Sequence, residues 1–231
     1  VLTITDTGYE LEVQYRQLSM VMDMPTGYME FSSDNANGDD IMSAMLNGMM
    51  NTPFGVTMTR QGKVTEVRGI HKLFNTAFEK YSLTEQQKQE IMNSLSQTFG
   101  NESFKANLEM FTYVFPSGPV SVGDKWTTET TTVSTMAATV KSTYTLDAID
   151  DGQYVISGKS EIHTTADAGD SAPMKYDMSG TMTSRIKVAR NTGWIKDASF
   201  KQSMLGKIIF PDNPKCRVGW TYPWRWGWRW L

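Results

Sequence analysis

The sequence predicts an α+β protein rich in strand, with two pseudo-repeated antiparallel β meanders (curved sheets or partial barrels) joined by a helical insert. Three observations predict it. Methionines alternate with a period of two in two separated segments, apolar residues between them take up helical spacing, and one strand–turn–strand pattern occurs in both halves. The expected organisation is a first β unit over 1–70 with a short helix near 40–50, a helical insert over 71–117, and a second β unit over 118–231.

The elements follow in chain order. "YELEVQYRQLSMVMDM" places Leu18, Met20, Met22 and Met24 on one parity and Ser19 and Asp23 on the other, the pattern of a strand with one buried face. "DDIMSAMLNGMM" offers an aspartate cap and then Ile41, Met42, Met45, Leu46 and Met49 at helical spacing. In "HKLFNTAFEKY", Leu73, Phe74, Ala77, Phe78 and Tyr81 share a stripe. "TEQQKQEIMNSLSQTFG" opens with Thr84 and Gln87 as a capping box, carries Ile91, Leu95 and Phe99 on one face, and stops at Gly100. "NESFKANLEMFTYVFP" is capped by Asn101, turns Phe104, Leu108, Phe111 and Phe115 inward, and ends at Pro116.

From Trp126 onward the chain is dense in Thr, Val, Tyr and Ile and is broken at "DDG", which predicts antiparallel hairpins. "TADAGDSAP" reads as a loop. "MKYDMSGTMTSRIKV" restores the alternation, with Met174, Tyr176, Met178, Met182, Ile186 and Val188 on even positions. The methionines of these two alternating segments read as sheet packing, where a flexible thioether fills irregular gaps.

The repeat pairs "LTITDTGYELEV" with "LDAIDDGQYVIS", each a strand, an acidic turn with glycine, and then Tyr9 or Tyr154 opening the next strand. It also pairs "VTMTRQGKVTEV" with "IKVARNTGWIKDA", so that Arg60 answers Arg190, Gly62 answers Gly193 and Val64 answers Ile195. A long strand precedes the shared turn in the second half, so a matching strand is expected upstream of Val1.

Composition narrows the chemistry. A net charge of −3 and pI near 5.5 give no footprint for nucleic acid, and no apolar run reaches the about 18 residues of a transmembrane helix. The single cysteine, Cys216, removes intrachain disulfides and cysteine metal clusters. His71 and His163 read as capping or surface residues, Asp39 and Asp40 as a helix cap, and Asp150 and Asp151 as a turn. Asn101-Glu102-Ser103 fits a glycosylation pattern but stands at a helix cap. With no nucleophile, phosphate-loop or dinucleotide motif, the sequence predicts no catalytic residue, cofactor or metal. The most motif-like run, "PSGPVSVGDKW", reads as turns leading into Trp126, or else as the border of a tryptophan-floored ligand surface. The ligand-contact candidates are Met20, Met22, Trp126, Met178 and Met182.

"YELEVQY", "FGVTMTRQGKVTEVRG", "FKANLEMFTYVFPSGPVSVGDKW" and "MKYDMSGTMTSRIKVARNTGWI" together resemble a family of Bacteroidetes cell-envelope proteins, among them lipoproteins, classed as a domain of unknown function. The resemblance covers most of 1–214. It implies an exported protein, periplasmic or held at the outer membrane through a lipidated cysteine upstream of this chain, and it carries no catalytic residue. The expected role is a non-catalytic binding or structural module. The ligand expected of such a module is apolar or a glycan; alternatives are a carrier of a lipid or other apolar ligand, and a hydrolase with acid and base on loops.

Five of the seven tryptophans fall in the last twelve residues, "WTYPWRWGWRWL", again with a period of two. Tryptophan is TGG, so ATG followed by G, read one base late, gives Trp. Synonymous codons allow the neighbouring frame of this run to read Met-Asp-Leu-Ser-Met-Ala-Met-Gly-Met-Glu-Met-Val, another alternating methionine strand. The expectation is that residues 215–231 are a shifted reading of such a strand. Sequencing the gene should show a single-base slip near Lys215; an intact frame encoding the tryptophans would remove the idea.

Overall fold

The computed structural model describes residues 1–24, 27–35, 41–78, 86, 101–132, 137–164, 175–209 and 217–229. The chain divides into two compact units, Val1–Tyr113 and Val114–Leu231. The first mixes antiparallel sheet with helices, the second is antiparallel sheet, and no sheet closes into a barrel among the described residues.

In the first unit, strands β1 (Thr3–Ile4), β2 (Gly8–Val13), β5 (Phe54–Thr59) and β6 (Val64–Arg68) form a sheet in the order β1-β2-β5-β6. Strands β3 (Ser19–Met24) and β4 (Gly27–Ser32) make a separate hairpin. Helix α1 (Ile41–Gly48) follows β4, α2 (Ile70–Phe78) follows β6, and α3 (Asn101–Thr112) closes the unit. The helix expected over 84–99 lies outside the described residues apart from Gln86, and Phe115 and Pro116 fall beyond the end of α3.

The alternating run from Tyr9 to Met24 is two strands and not one. Tyr15 leaves β2 to form a parallel bridge with Met50, and Leu18 exchanges hydrogen bonds with Ser33 through its N–H and carbonyl. The buried Ser33 and Ser43 hold this corner. Ser43 Oγ accepts from Ser32 N at 3.0 Å, and Asn47 Nδ2 donates to Ser33 O at 2.7 Å, fastening α1 to the hairpin. Small hydroxyls suit such a corner because they satisfy backbone donors that no ladder reaches.

β5 alternates cleanly, with Phe54, Val56 and Met58 buried. On β6 the buried residues are Val64 and Val67, three apart, which in a regular strand would face opposite sides. A bulge resolves this. The register shifts between Thr57 and Met58, so that Val64 lies opposite Met58 and Glu66 opposite Thr57, and Thr65 is the extra residue, its Oγ1 donating to Thr57 O. The core continues through an aromatic series, Tyr15 to Phe54 at 5.5 Å and Phe54 edge-on to Phe104 of α3 at 5.4 Å.

The C-terminal turn of α3 sits on the β5–β6 hairpin. Gly62, at φ 88°, has the Thr112 carbonyl where a Cβ would stand, and Thr112 Oγ1 donates to Gly62 O at 2.7 Å. One turn earlier the buried Glu109 accepts from the Val64 N–H. Burial raises its carboxyl pKa; Lys63, the Val64 N–H and Lys105 pull the other way without cancelling it.

The second unit is a meander of six strands: β7 (Lys125–Thr132), β8 (Ala138–Asp150), β9 (Gln153–Thr164), β10 (Lys175–Ala189), β11 (Ile195–Ile209) and β12 (Arg217–Arg229). Every strand pairs with its neighbours in sequence, so the sheet order is β12-β11-β10-β9-β8-β7. The tryptophan-rich run is the edge strand β12, aligned residue by residue with β11 from Arg217 opposite Ile209 to Arg229 opposite Asp197.

A few pairings in the two sheets run in a similar register. In the first, Ile4 lies opposite Tyr9, Tyr9 opposite Met58 and Met58 opposite Val64, with the bulge between Thr57 and Met58. In the second, Ile149 lies opposite Tyr154, Tyr154 opposite Val188 and Val188 opposite Ile195, with a shift between Lys187 and Val188.

Two substitutions probe the seat of α3. Gly62→Ala should lower unfolding free energy by at least ~1 kcal/mol, since it strains φ and drives a methyl into the Thr112 carbonyl. Glu109→Gln should raise the melting temperature at pH 7. Because the folded pKa is raised, the native state prefers the neutral carboxyl, so the gain should shrink as pH falls below the range where the wild-type carboxylate protonates. A pH-independent loss of stability in Glu109→Gln would show the charge to be favourable instead.

Candidate functional site

Period-two alternation gives the six-stranded sheet two chemically different faces. On the even-numbered face, β8 buries Ala138, Val140, Ser142, Tyr144 and Leu146, β9 buries Ile156, Ser160 and Ile162, and β10 buries Met182, Ser184, Ile186 and Val188. β11 adds Ala198, Phe200 and Met204, and β7 adds Thr128 and Thr130. The even-numbered charged residues described in β7 to β11 are Asp150, the last residue of β8, and Lys196, next to the bulge at the start of β11, both exposed and at the same end of the sheet.

Registered rows run across this face. Trp126, Tyr144, Gly158, Ser184 and Phe200 form one; Thr128, Ser142, Ser160, Met182 and Gln202 form the next. The second row begins as a line of hydroxyls. Ser142 and Ser160 share a buried hydrogen bond at 2.8 Å, and the Tyr144 phenol is within hydrogen-bonding reach of Ser142 and Thr128. Burial raises the Tyr144 pKa, the two hydroxyls offsetting part of the shift, so the phenol stays neutral and acts as donor and acceptor.

Gly158 makes room for this arrangement. A Cβ there would stand 2.7 Å from Tyr144 Cε1 and would also strike Ser184 Oγ. The tyrosine ring lies over the glycine directly opposite it, covering backbone that has no side chain of its own.

The candidates from sequence separate as follows. Trp126 is half-buried, stacks on Tyr144 with ring centroids 6.0 Å apart, and donates from Nε1 to Val114 O at 3.0 Å, so its polar handle is used within the fold. Met182 is 2% exposed in the middle of the sheet, and Met178 is half-buried opposite Gly206. Met20 and Met22 belong to the other unit, in β3 opposite Phe31 and Met29, and their side chains lie outside the described residues. The structure therefore brings Met178, Met182 and Trp126 onto one sheet face. The hydroxyl row and Gly158 were missed, because Ser and Thr scattered along strands read as β-formers; their common parity was the available signal.

The remaining polar candidates take structural positions. His71 and His163 are exposed, Asp151 occupies a turn at φ 43°, and Asp124 Oδ2 accepts from Ser121 N at 2.8 Å to close the turn before β7. Asp39, Asp40 and Cys216 lie outside the described residues. Among the described residues no cluster of three His, Cys, Asp or Glu could hold a metal, and no helix is long and apolar enough to cross a membrane.

Fold and face together define a β-meander protein whose largest sheet presents apolar groups and hydroxyls on its inner side. The chain belongs to DUF6263, a family of unknown function whose profile matches residues 6–195. No curated protein and no solved structure matches it.

Gly158→Ala should cost about 1–3 kcal/mol in denaturant unfolding, as overpacking does in a filled core. Tyr144→Phe, which leaves Ser142 and Thr128 without the phenol, should cost about 1 kcal/mol. A neutral Gly158→Ala would mean that the ring does not lie over the glycine.

Proposed function

We propose that the protein is a non-catalytic binding or structural module of the cell envelope, exported and held in the periplasm or at the outer membrane. The observation that carries the non-catalytic reading is the make-up of the buried even-numbered positions, where hydroxyls, methionines and aromatic rings meet without a carboxylate, histidine or lysine among the described residues. Such a surface can shield apolar groups and hydrogen-bond to neutral polar ones, but offers no group to activate water or a nucleophile. The envelope location rests on the resemblance of the quoted segments to lipoproteins of Bacteroidetes envelopes. The similar register of a few pairings and their equivalent bulges support the further reading that the two units descend from one duplicated meander, with the stretch holding α2 and α3 inserted between the copies.

A carrier of an apolar ligand is the more specific form of this reading, and the half-buried Met178 and Gln202 beside the hydroxyl row favour it. Native mass spectrometry on protein purified gently from its own host should then show a bound small molecule, and Met178→Asp should reduce its occupancy about tenfold or more. Protein that carries nothing, and takes up no apolar fluorescent probe, would leave the structural role and exclude the carrier. Cell fractionation with metabolic fatty-acid labelling checks the location: label on the mature protein supports the lipid tether, and recovery in the cytoplasm overturns export.

A further inference from the structure

The solvent-facing side of the six-stranded sheet is laid out by charge. Glu129, Lys141 and Glu161 lie directly opposite one another on β7, β8 and β9, so that row alternates in sign. Lys187 faces Asp197, and Asp177 faces Lys207, across β10 and β11. Opposite charges in register stabilise a sheet by a few tenths of a kcal/mol each and like charges oppose it, so this layout serves the fold.

The centre of the face departs from that rule. Lys159 on β9 and Lys201 on β11 both lie opposite Thr183 of β10, and Arg185 stands two residues along β10, flanked by Ser157 and Ser199. Lys159, Arg185 and Lys201 are all exposed, and none forms an ion pair with another described side chain. The nearby Asp147 is hydrogen-bonded to Ser157 at 2.9 Å. Strand spacing puts Lys159 and Lys201 roughly 10 Å apart with Arg185 about 7 Å along the strand from Thr183, a triangle of cations around hydroxyls. None of the three lies in β12. The fold gains nothing from gathering like charges here, whereas an anionic ligand would.

We propose that this patch binds an anionic polysaccharide, one whose sulfate or carboxylate groups meet Lys159, Arg185 and Lys201 while its sugar hydroxyls meet Thr183 and Ser199. Charge complementarity selects an anion. The exposed, flat setting fits an extended chain rather than an enclosed small molecule. Odd-numbered described positions of β7 to β11 carry no Phe, Tyr or Trp for base stacking within the sheet, and the two large exposed apolar side chains among them, Ile149 and Leu205, are single residues on different strands rather than a patch that could enter a bilayer. This site is on the face opposite the hydroxyl row and does not depend on what that row holds.

The test is retention of the whole protein on immobilised dextran sulfate, with uncharged dextran as control. Wild type should bind, and the triple variant Lys159→Gln, Arg185→Gln, Lys201→Gln should lose about tenfold or more in affinity, the scale expected of three exposed contacts. The matched triple Lys141→Gln, Lys187→Gln, Lys207→Gln, drawn from the sign-paired rows, should bind like wild type. No retention of wild type, equal loss in both triples, or binding to anionic phospholipid vesicles without binding to dextran sulfate would each overturn the proposal. Lys201→Glu supplies a reading independent of any ligand: it should raise the melting temperature, and a fall would show that the cations are not in conflict.

Discussion

The structure depends on register. Side chains in a strand change face with every residue, so a slip of one position would turn the buried set of each long strand into solvent. In the second unit that set is large: Val140, Tyr144, Leu146, Ile156, Ile162, Met182, Ile186, Phe200 and Met204 share one parity across four strands. Apolar burial at roughly 25 cal/mol per Å² then penalises any slip by far more than a single cross-strand contact could. Where the pattern of buried residues breaks parity, a bulge restores it, as Thr65 does for Val64 and Val67.

The two faces of that sheet follow from the same constraint and are put to different uses. The polar side chains buried on the inner one are hydroxyls, and two of them, Ser142 and Ser160, satisfy each other. The outer one carries charge, set mainly in alternating signs except around Thr183. Glu109 in the first unit is the contrasting case, a carboxyl accepted into a buried position because a backbone donor and two lysines lie near it. Its burial is the cost of seating a helix end on a hairpin turn.

Much of this was legible in one dimension. Alternation located β10, the segment "VTMTRQGKVTEV" with its Gly62 turn covers β5 and β6, helical spacing located α1 and the start of α2, and the acidic-glycine turns marked the hairpins between β1 and β2 and between β8 and β9. Trp126 was visible as a marked residue, but its role could not be read, because stacking on Tyr144 and bonding to Val114 are long-range pairings. The break at Tyr15, the serine corner at Ser33 and Ser43, and the fit of the Tyr144 ring over Gly158 were hidden for the same reason. Periodicity says which way a side chain points within its own strand. It does not say which distant residue it will meet.

The order β12-β11-β10-β9-β8-β7 has a consequence for how such a sheet can vary. Because every strand touches only its neighbours in sequence, each is added to a template already in place, and loops close over short spans at little entropic cost. Among the described residues β12 pairs along one side alone. A change of composition there needs only to keep the two-residue period; β10 and the strands beyond it are insulated by β11. The meander therefore confines novelty to its rim, where new side chains can be tried without unsettling the body of the sheet.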